Sequence, residues 1–244
     1  MTSIFDIVFP NHTCLVCKAE INTSARPLLC DICDAKLPRS QKICDKCGCG
    51  VSEHAFVCDR CKPSKGEKGK WNFSRARSVF CYRDCVTELV MRLKYNAEGD
   101  VAKFIAPFLE ELCIKHNMQA DVIIPVPLAS KREKQRGYNQ AKLIANELSK
   151  ILQVPVLDNI LVRVKHTEAQ KKMTPKEREE NLRGAFEIKP PYSAIKGKRV
   201  LLVDDVFTTG ATANECARIL NRAKPKSIEV VTIAGVAQEN RTAY

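Results

Sequence analysis

Residues 198–220, KRVLLVDDVFTTGATANECARIL, place two adjacent carboxylates, Asp204 and Asp205, directly after an apolar run. Thr208, Thr209, Gly210, Ala211 and Thr212 follow, where a helical pattern begins. Gly210 permits a tight turn and a close backbone approach. Hydroxyls and the first N–H groups of a helix can then surround a phosphate. The paired acids suit ribose hydroxyls or a magnesium ion, which is usually held by few carboxylates plus substrate phosphates. The plain alternative is a threonine-capped helix with both acids in solvent. Two carboxylates at a sheet crevice repel, which is costly without a ligand or cation. The mononucleotide P-loop pattern GxxxxGK[ST] is absent from the chain.

A second chemistry lies near the N-terminus. Of 13 cysteines, nine fall between Cys14 and Cys61. Eight of these form the CxxC pairs Cys14/Cys17, Cys30/Cys33, Cys44/Cys47 and Cys58/Cys61, with 12, 10 and 10 residues between pairs. In a reducing compartment such spacings read as metal ligands rather than disulfides. Two zinc sites of four cysteines each are expected, the first four cysteines grouped and then the last four, with crossed pairing left open. Cys49 falls outside the pattern. Knuckles of this size lack a core, so the metal supplies their folding energy.

The formal net charge is +12, which two zinc ions on eight thiolates would reduce to about +8. Residues 1–75 carry 12 basic and 8 acidic side chains, so metallated knuckles come close to neutral. The surplus positive charge therefore belongs to the rest of the chain. It favours an anionic partner, either a phosphorylated sugar or nucleic acid.

Elements that must position these groups follow from periodicity. A zinc-ribbon module is expected over 1–65 and a second domain over 66–244, with residues 62–74 as a basic linker or surface loop. Arg77–Tyr82 reads as a strand. Cys85–Lys94 has apolar residues at helical spacing, and Val101–Leu112 is a second such helix with Pro107 as a kink. Ala120–Pro125 reads as a buried strand, Tyr138–Leu152 as a helix and Ile160–Val164 as a third strand. Lys198–Val203 has the near-continuous apolar run of a central parallel strand. Ala211–Ala223 is a helix and Ile228–Val236 a strand. This alternation predicts an α/β fold with an open, mainly parallel sheet flanked by helices, binding its ligand beyond the carboxyl ends of the strands. No apolar run reaches 18 residues, so no membrane span is expected. The opening MTSIFDIVFPNHTC lacks a basic start and makes a poor secretion signal, so a cytoplasmic location is expected.

The stretch VLLVDDVFTTGAT resembles the phosphoribosyl-pyrophosphate (PRPP) signature of type I phosphoribosyltransferases. That resemblance implies ribose contacts from Asp204 and Asp205. It gives the 5-phosphate to Thr208, Thr209, Gly210, Ala211 and Thr212, and pyrophosphate to the loop Leu128, Ala129, Ser130 and Lys131, with Mg²⁺ accompanying PRPP. IIPVPLASKREKQRGYNQAKLIA at 123–145 resembles the ComF family (competence protein F, GntX-like). So does LVRVKHTEAQKKMTPKEREENLRGAFEI at 161–188, through Arg163, Thr167, Gln170, Arg178, Asn181, Ala185 and Phe186. The cysteine module is similar to the zinc ribbon of the same family.

The segment 163–185 fits a hood over the site, with Lys165, His166 and Arg178 as weak catalytic candidates. Lys131, Arg132, Lys134, Arg136, Lys165, Lys171 and Lys172 form the basic face expected to contact DNA. The family resemblance implies a PRPP-binding protein that handles incoming single-stranded DNA in the cytoplasm during natural transformation. Helicase-like and recombination-mediator proteins would be its partners and would bring it to the inner face of the membrane. Two other readings stay open: a Mg-dependent phosphoribosyltransferase acting on a nitrogen acceptor, and a zinc-dependent protein-interaction module of the DNA-uptake machinery. No acceptor pocket is legible, so turnover is not assigned.

Overall fold

The computed structural model describes residues 13–21, 28–40, 42–62, 71–95, 99–165 and 175–236. Four parallel strands form the central sheet: β1 (Arg75–Cys81), β2 (Val122–Pro125), β5 (Arg199–Phe207) and β6 (Ser227–Gly235), in the order β1-β6-β5-β2. A separate antiparallel ribbon pairs β3 (Leu161–Arg163) with β4 (Phe186–Ile188).

Strand alternation divides the core between two faces. Val200 and Leu202 of β5 join Val122, Ile124, Ile228 and Val230 on one side, where helix α7 (Ala211–Leu220) covers them. Leu201 and Val203 join Ile123, Val231 and Ile233 on the other. There helices α2 (Asp84–Tyr95), α3 (Gly99–Lys115) and α5 (Gln140–Leu152) supply the cover. Helix α2 does so with Val86, Leu89, Val90 and Leu93, a stripe at helical spacing. Burial on both faces is what a parallel sheet requires, and it explains the long apolar run in β5.

Two sequence expectations change. The central strand does not stop at Val203: pairing with β6 continues through Asp204↔Thr232 to Phe207↔Gly235, so both acids lie within the strand. Ile160–Val164 does not enter the central sheet, because its partner is the nearby β4. Pro107 lies inside α3, which runs on to Lys115.

The cysteine segment, with the short helix α1 (Asp31–Lys36), lies against the outer edge of β1. The Ala76 amide donates to the Lys46 carbonyl and the Cys81 amide to the Pro38 carbonyl, each at 2.7 Å. The module thus covers a sheet edge that would otherwise expose unpaired backbone groups.

Candidate functional site

The two acids share a strand but are unequally covered, Asp205 buried and Asp204 half-buried. Asp204 Oδ1 accepts from the Asp205 amide at 2.9 Å, and Asp205 Oδ1 accepts from the Val206 amide at 2.6 Å. Asp205 is only 7% exposed. Its Oδ2 accepts from Lys94 Nζ and Gln140 Nε2, both at 3.1 Å. Among the described residues, Asp204 makes no such ion pair. Burial, then the adjacent Asp205 charge, push its carboxyl well above the usual carboxylate range, against a smaller pull from Lys94. Burial opposes the charge on Lys94, but the Asp205 carboxylate and its hydrogen bond outweigh this and hold the ammonium above the usual lysine range.

Lys94 comes from the last turn of α2, and sequence reasoning missed it. Its only signal was a lysine next to Leu93 on the apolar stripe. Gln140, the first residue of helix Gln140–Leu152, also reaches the acid pair. The stretch Arg136–Gln140 works as a connector. Arg136 Nη1 donates to Gln140 Oε1 at 2.8 Å, and its guanidinium stands 5.1 Å from the Tyr95 ring. The Tyr138 hydroxyl donates to the Leu93 carbonyl at 2.9 Å. Asn139 caps α5, accepting from the Ala141 amide at 3.0 Å and donating to the Val126 carbonyl at 3.0 Å. The end of α2, the loop after β2 and the acid pair are thereby held together.

The phosphate-type turn follows β5. Gly210 has φ +78°, and a Cβ there would stand 2.5 Å from the Phe207 ring and 2.9 Å from the Trp71 ring. Both the left-handed backbone and the crowding call for glycine. Thr209 is buried and its hydroxyl accepts from the Ala211 amide at 3.3 Å. Thr208 and Thr212 are half-buried, and Ala211 opens α7.

The expected pyrophosphate loop takes a different form. After Leu128 and Ala129, residues Ser130–Arg136 fold as helix α4, closed by Gly137 at φ +81°. Lys131, Arg132 and Lys134 are exposed on it, while Arg136 is half-buried by its contacts. A run of straight-chain Lys, Arg, Glu and Gln side chains favours helix, which explains why the charged stretch is not a loop.

In the hood, Arg163 of β3 lies 5.4 Å from the Phe186 ring. Burial comes first in drawing its guanidinium below the ordinary range, then the Arg132 charge, while Asp204 pulls the other way. Arg163 therefore feels both the basic helix and the acid pair. Lys165 is exposed. Arg178 belongs to α6 (Pro175–Leu182), its side chain outside the described residues, as are His166, Thr167, Gln170, Lys171 and Lys172.

The eight CxxC cysteines assemble in sequence order. Ligand sulfurs of Cys14, Cys17, Cys30 and Cys33 lie within 4.8 Å of one another, as do those of Cys44, Cys47, Cys58 and Cys61. The knuckle backbone is built twice. The Cys14 amide donates to the Ala19 carbonyl at 2.8 Å and the Lys18 amide to the Cys14 carbonyl at 2.9 Å. The Cys44 and Gly48 amides repeat this with Cys49 and Cys44, at 2.7 and 2.9 Å.

Tetrahedral Zn–S bonds of about 2.3 Å put sulfurs roughly 3.8 Å apart. The Cys17–Cys30 and Cys47–Cys58 separations are 3.7 and 3.6 Å. Both tetrads therefore fit zinc, and two ions are supported. Cys49 is a further buried thiol beside the second tetrad, 3.4 Å from the Cys47 sulfur.

Of the expected linker 62–74, residues 63–70 lie outside the described residues, and Trp71 and Phe73 are packed. The Trp71 ring stacks on Phe73 at 5.1 Å and meets Phe207 at 6.2 Å, because apolar rings beside a crowded turn have a core to join.

Comparisons with known proteins agree with this geometry. The Phosphoribosyl transferase domain family matches residues 138–243, and the Double zinc ribbon domain family matches residues 4–62. Competence protein F of Haemophilus influenzae is 36% identical over 159 residues, covering 63% of this chain and 69% of that protein. DNA utilization protein YhgH of Salmonella typhi is 31% identical over 163 residues, covering 65% and 70%. Competence protein ComFC of Bacillus subtilis is 29% identical over 159 residues, covering 64% of this chain and 62% of that protein. Among the described residues, no helix is long and apolar enough to cross a membrane.

Proposed function

The chain belongs to the competence protein F family, a type I phosphoribosyltransferase fold behind a double zinc ribbon, and we propose that it binds PRPP and handles incoming single-stranded DNA in the cytoplasm during natural transformation. The observation that carries the PRPP half is the Asp204–Asp205 pair, in which Lys94 and Gln140 satisfy Asp205 and leave Asp204 at an unfavourable charge. Ribose hydroxyls donating to these carboxylates relieve that repulsion. Thr208, Thr209, Thr212 and the first amides of α7 hold the 5-phosphate, and Leu128–Lys131 face the pyrophosphate. Magnesium bound with PRPP supplies positive charge against the pyrophosphate and the acid pair.

The DNA half rests on α4, which follows the carboxyl end of β2 and exposes Lys131, Arg132 and Lys134. A phosphate backbone there releases counterions, so binding falls steeply with salt. The names of the relatives, competence proteins and a DNA utilization protein, support this direction.

The test is titration of the purified protein with single- and double-stranded DNA, with and without PRPP and Mg²⁺, at two salt concentrations. Single strands are expected to bind more tightly and to lose affinity with salt. Reversing Lys131, Arg132 and Lys134 to Glu, while leaving Arg136 on Gln140, should weaken that binding. Unchanged affinity in the triple variant would remove α4 as the footprint.

A further inference from the structure

We infer that Trp71 is a positioning residue that ties the second cysteine tetrad to the turn at Gly210; the ligand part of this inference rests on the phosphoribose reading above. Trp71 is the one tryptophan of the chain. Its Nε1 donates to the Cys61 sulfur at 3.1 Å. The other end of the same ring fills the space where a Gly210 Cβ would stand, 2.9 Å away. Phe73 and Phe207 complete the stack, 6.1 Å from each other.

The next residue fixes the helix behind the turn. The Asn72 amide and its Nδ2 donate to Asn214 Oδ1 at 2.7 and 3.0 Å, and Asn221 Nδ2 donates to the Asn72 carbonyl at 2.7 Å. Asn214 and Asn221 lie in and just beyond α7. Two adjacent residues therefore touch a metal ligand, the left-handed turn and the helix that the turn opens.

The physical basis is a hydrogen bond to a metal ligand. A metal-bound thiolate is an anionic acceptor, and hydrogen bonds to ionised acceptors are roughly twice as strong as neutral ones. Such contacts orient metal ligands and also orient the donor. With zinc on the second tetrad, the indole is pinned at one edge, and the wall it presents to Phe207 and Gly210 is fixed. Coupling of this kind is reciprocal: what orders the turn also retains the metal. Among the described residues, Cys14 and Cys33 of the first tetrad belong instead to the cluster with Leu29, Leu37 and Phe80 on the other face of the sheet.

The experiment measures zinc transfer from full-length protein to a chromogenic chelator, resolving the two equivalents by rate. Trp71→Phe keeps one aromatic ring and removes the indole N–H together with the second ring that spans from Cys61 to Gly210. One equivalent should leave that variant at least about fivefold faster than in the wild type, and the other at an unchanged rate. Gly210→Ala, which pushes on the same ring, should accelerate the same equivalent. PRPP with Mg²⁺ should slow that equivalent in the wild type and not in Trp71→Phe, and it should shift the Trp71 emission.

Wild-type rates for both equivalents in Trp71→Phe would overturn the coupling; if that variant does not fold, wild-type rates in Gly210→Ala overturn it. A selective acceleration with no effect of PRPP on the wild type would leave the coupling standing and remove PRPP as the ligand of the turn.

Discussion

Lys18 and Gly48 occupy equivalent positions in two copies of one zinc knuckle, both in the left-handed region at φ +63° and +67°. The first knuckle leaves that position exposed, so a lysine is accepted at the modest cost of its backbone conformation. In the second, a Cβ would stand 2.5 Å from the Ala76 carbonyl oxygen of β1, and only glycine fits. The same contrast runs through the ligands. Cys17 is exposed and Cys30 half-buried in the first set, whereas Cys44, Cys47, Cys58 and Cys61 are all buried. The metal motif dictates the backbone of a knuckle, and what the knuckle leans on dictates its remaining residues. The second copy leans on the candidate ligand site.

The largest expected difference comes from removing one ligand in each set. Structural zinc contributes apparent free energies of about 10–16 kcal/mol in isolated finger peptides. Cys61→Ser should lose one zinc equivalent, lower stability by more than about 3 kcal/mol and weaken PRPP binding, because Trp71 and the Gly210 turn lose their support. Cys17→Ser should also lose one equivalent, yet cost less than half as much and leave PRPP affinity near wild type. Zinc stoichiometry, thermal unfolding and ligand titration on both variants check this; equal losses would break the comparison.

A smaller effect isolates the docking of the second knuckle from its metal. Gly48→Ala keeps all eight ligands but forces backbone apart at β1, for an expected loss of about 2 kcal/mol. Lys18→Gly relieves a strained position while adding unfolded-state entropy, so stability should stay within about 1 kcal/mol of wild type. Denaturant midpoints in excess zinc report both. Comparable shifts would mean that the two knuckles are equally free of the sheet.

The smallest effect separates the knuckles from the acid pair by pH. Acid displaces zinc, because thiolates must protonate to release it. Asp204 responds in the opposite sense. Its carboxyl is raised in the folded protein, so the folded state holds more protons than the unfolded chain over the intervening window. Stability of the ligand-free protein therefore falls as pH rises from the ordinary carboxylate range through the folded value. Asp204→Asn should flatten that fall without altering zinc loss. A slope unchanged by the substitution would show that the pair is not repelled.

The legible parts of this molecule were those written within a few residues. The CxxC spacing foretold both tetrads while leaving crossed pairing open, and the apolar run before Asp204 with the following TTGAT foretold a strand, a glycine turn and a helix. The parts that stayed hidden depend on distant partners. Lys94 reaches Asp205 from a helix far earlier in the chain, and nothing in MRLKY marks that lysine for burial. Trp71 sits at the end of a polar stretch that reads as linker, and its role appears only once Cys61 and Gly210 flank it. The end of β5 was misjudged because carboxylates look like a strand terminus, while pairing with Thr232 and Ala234 carries the strand onward. The basic run 131–136 showed its charge and concealed its helix.

The central claim is that Asp204 and Asp205 hold a phosphorylated ribose, and calorimetric titration with PRPP and Mg²⁺ addresses it most directly. Each substitution to Asn preserves size and removes one charge-assisted acceptor, worth roughly 1.5–3 kcal/mol, or on the order of ten- to a hundredfold in affinity. Wild type should bind. Asp204→Asn and Asp205→Asn should each bind more weakly by that factor, with circular dichroism and two zinc equivalents unchanged. Equal affinity in all three proteins, or no measurable binding by the wild type, would contradict the account.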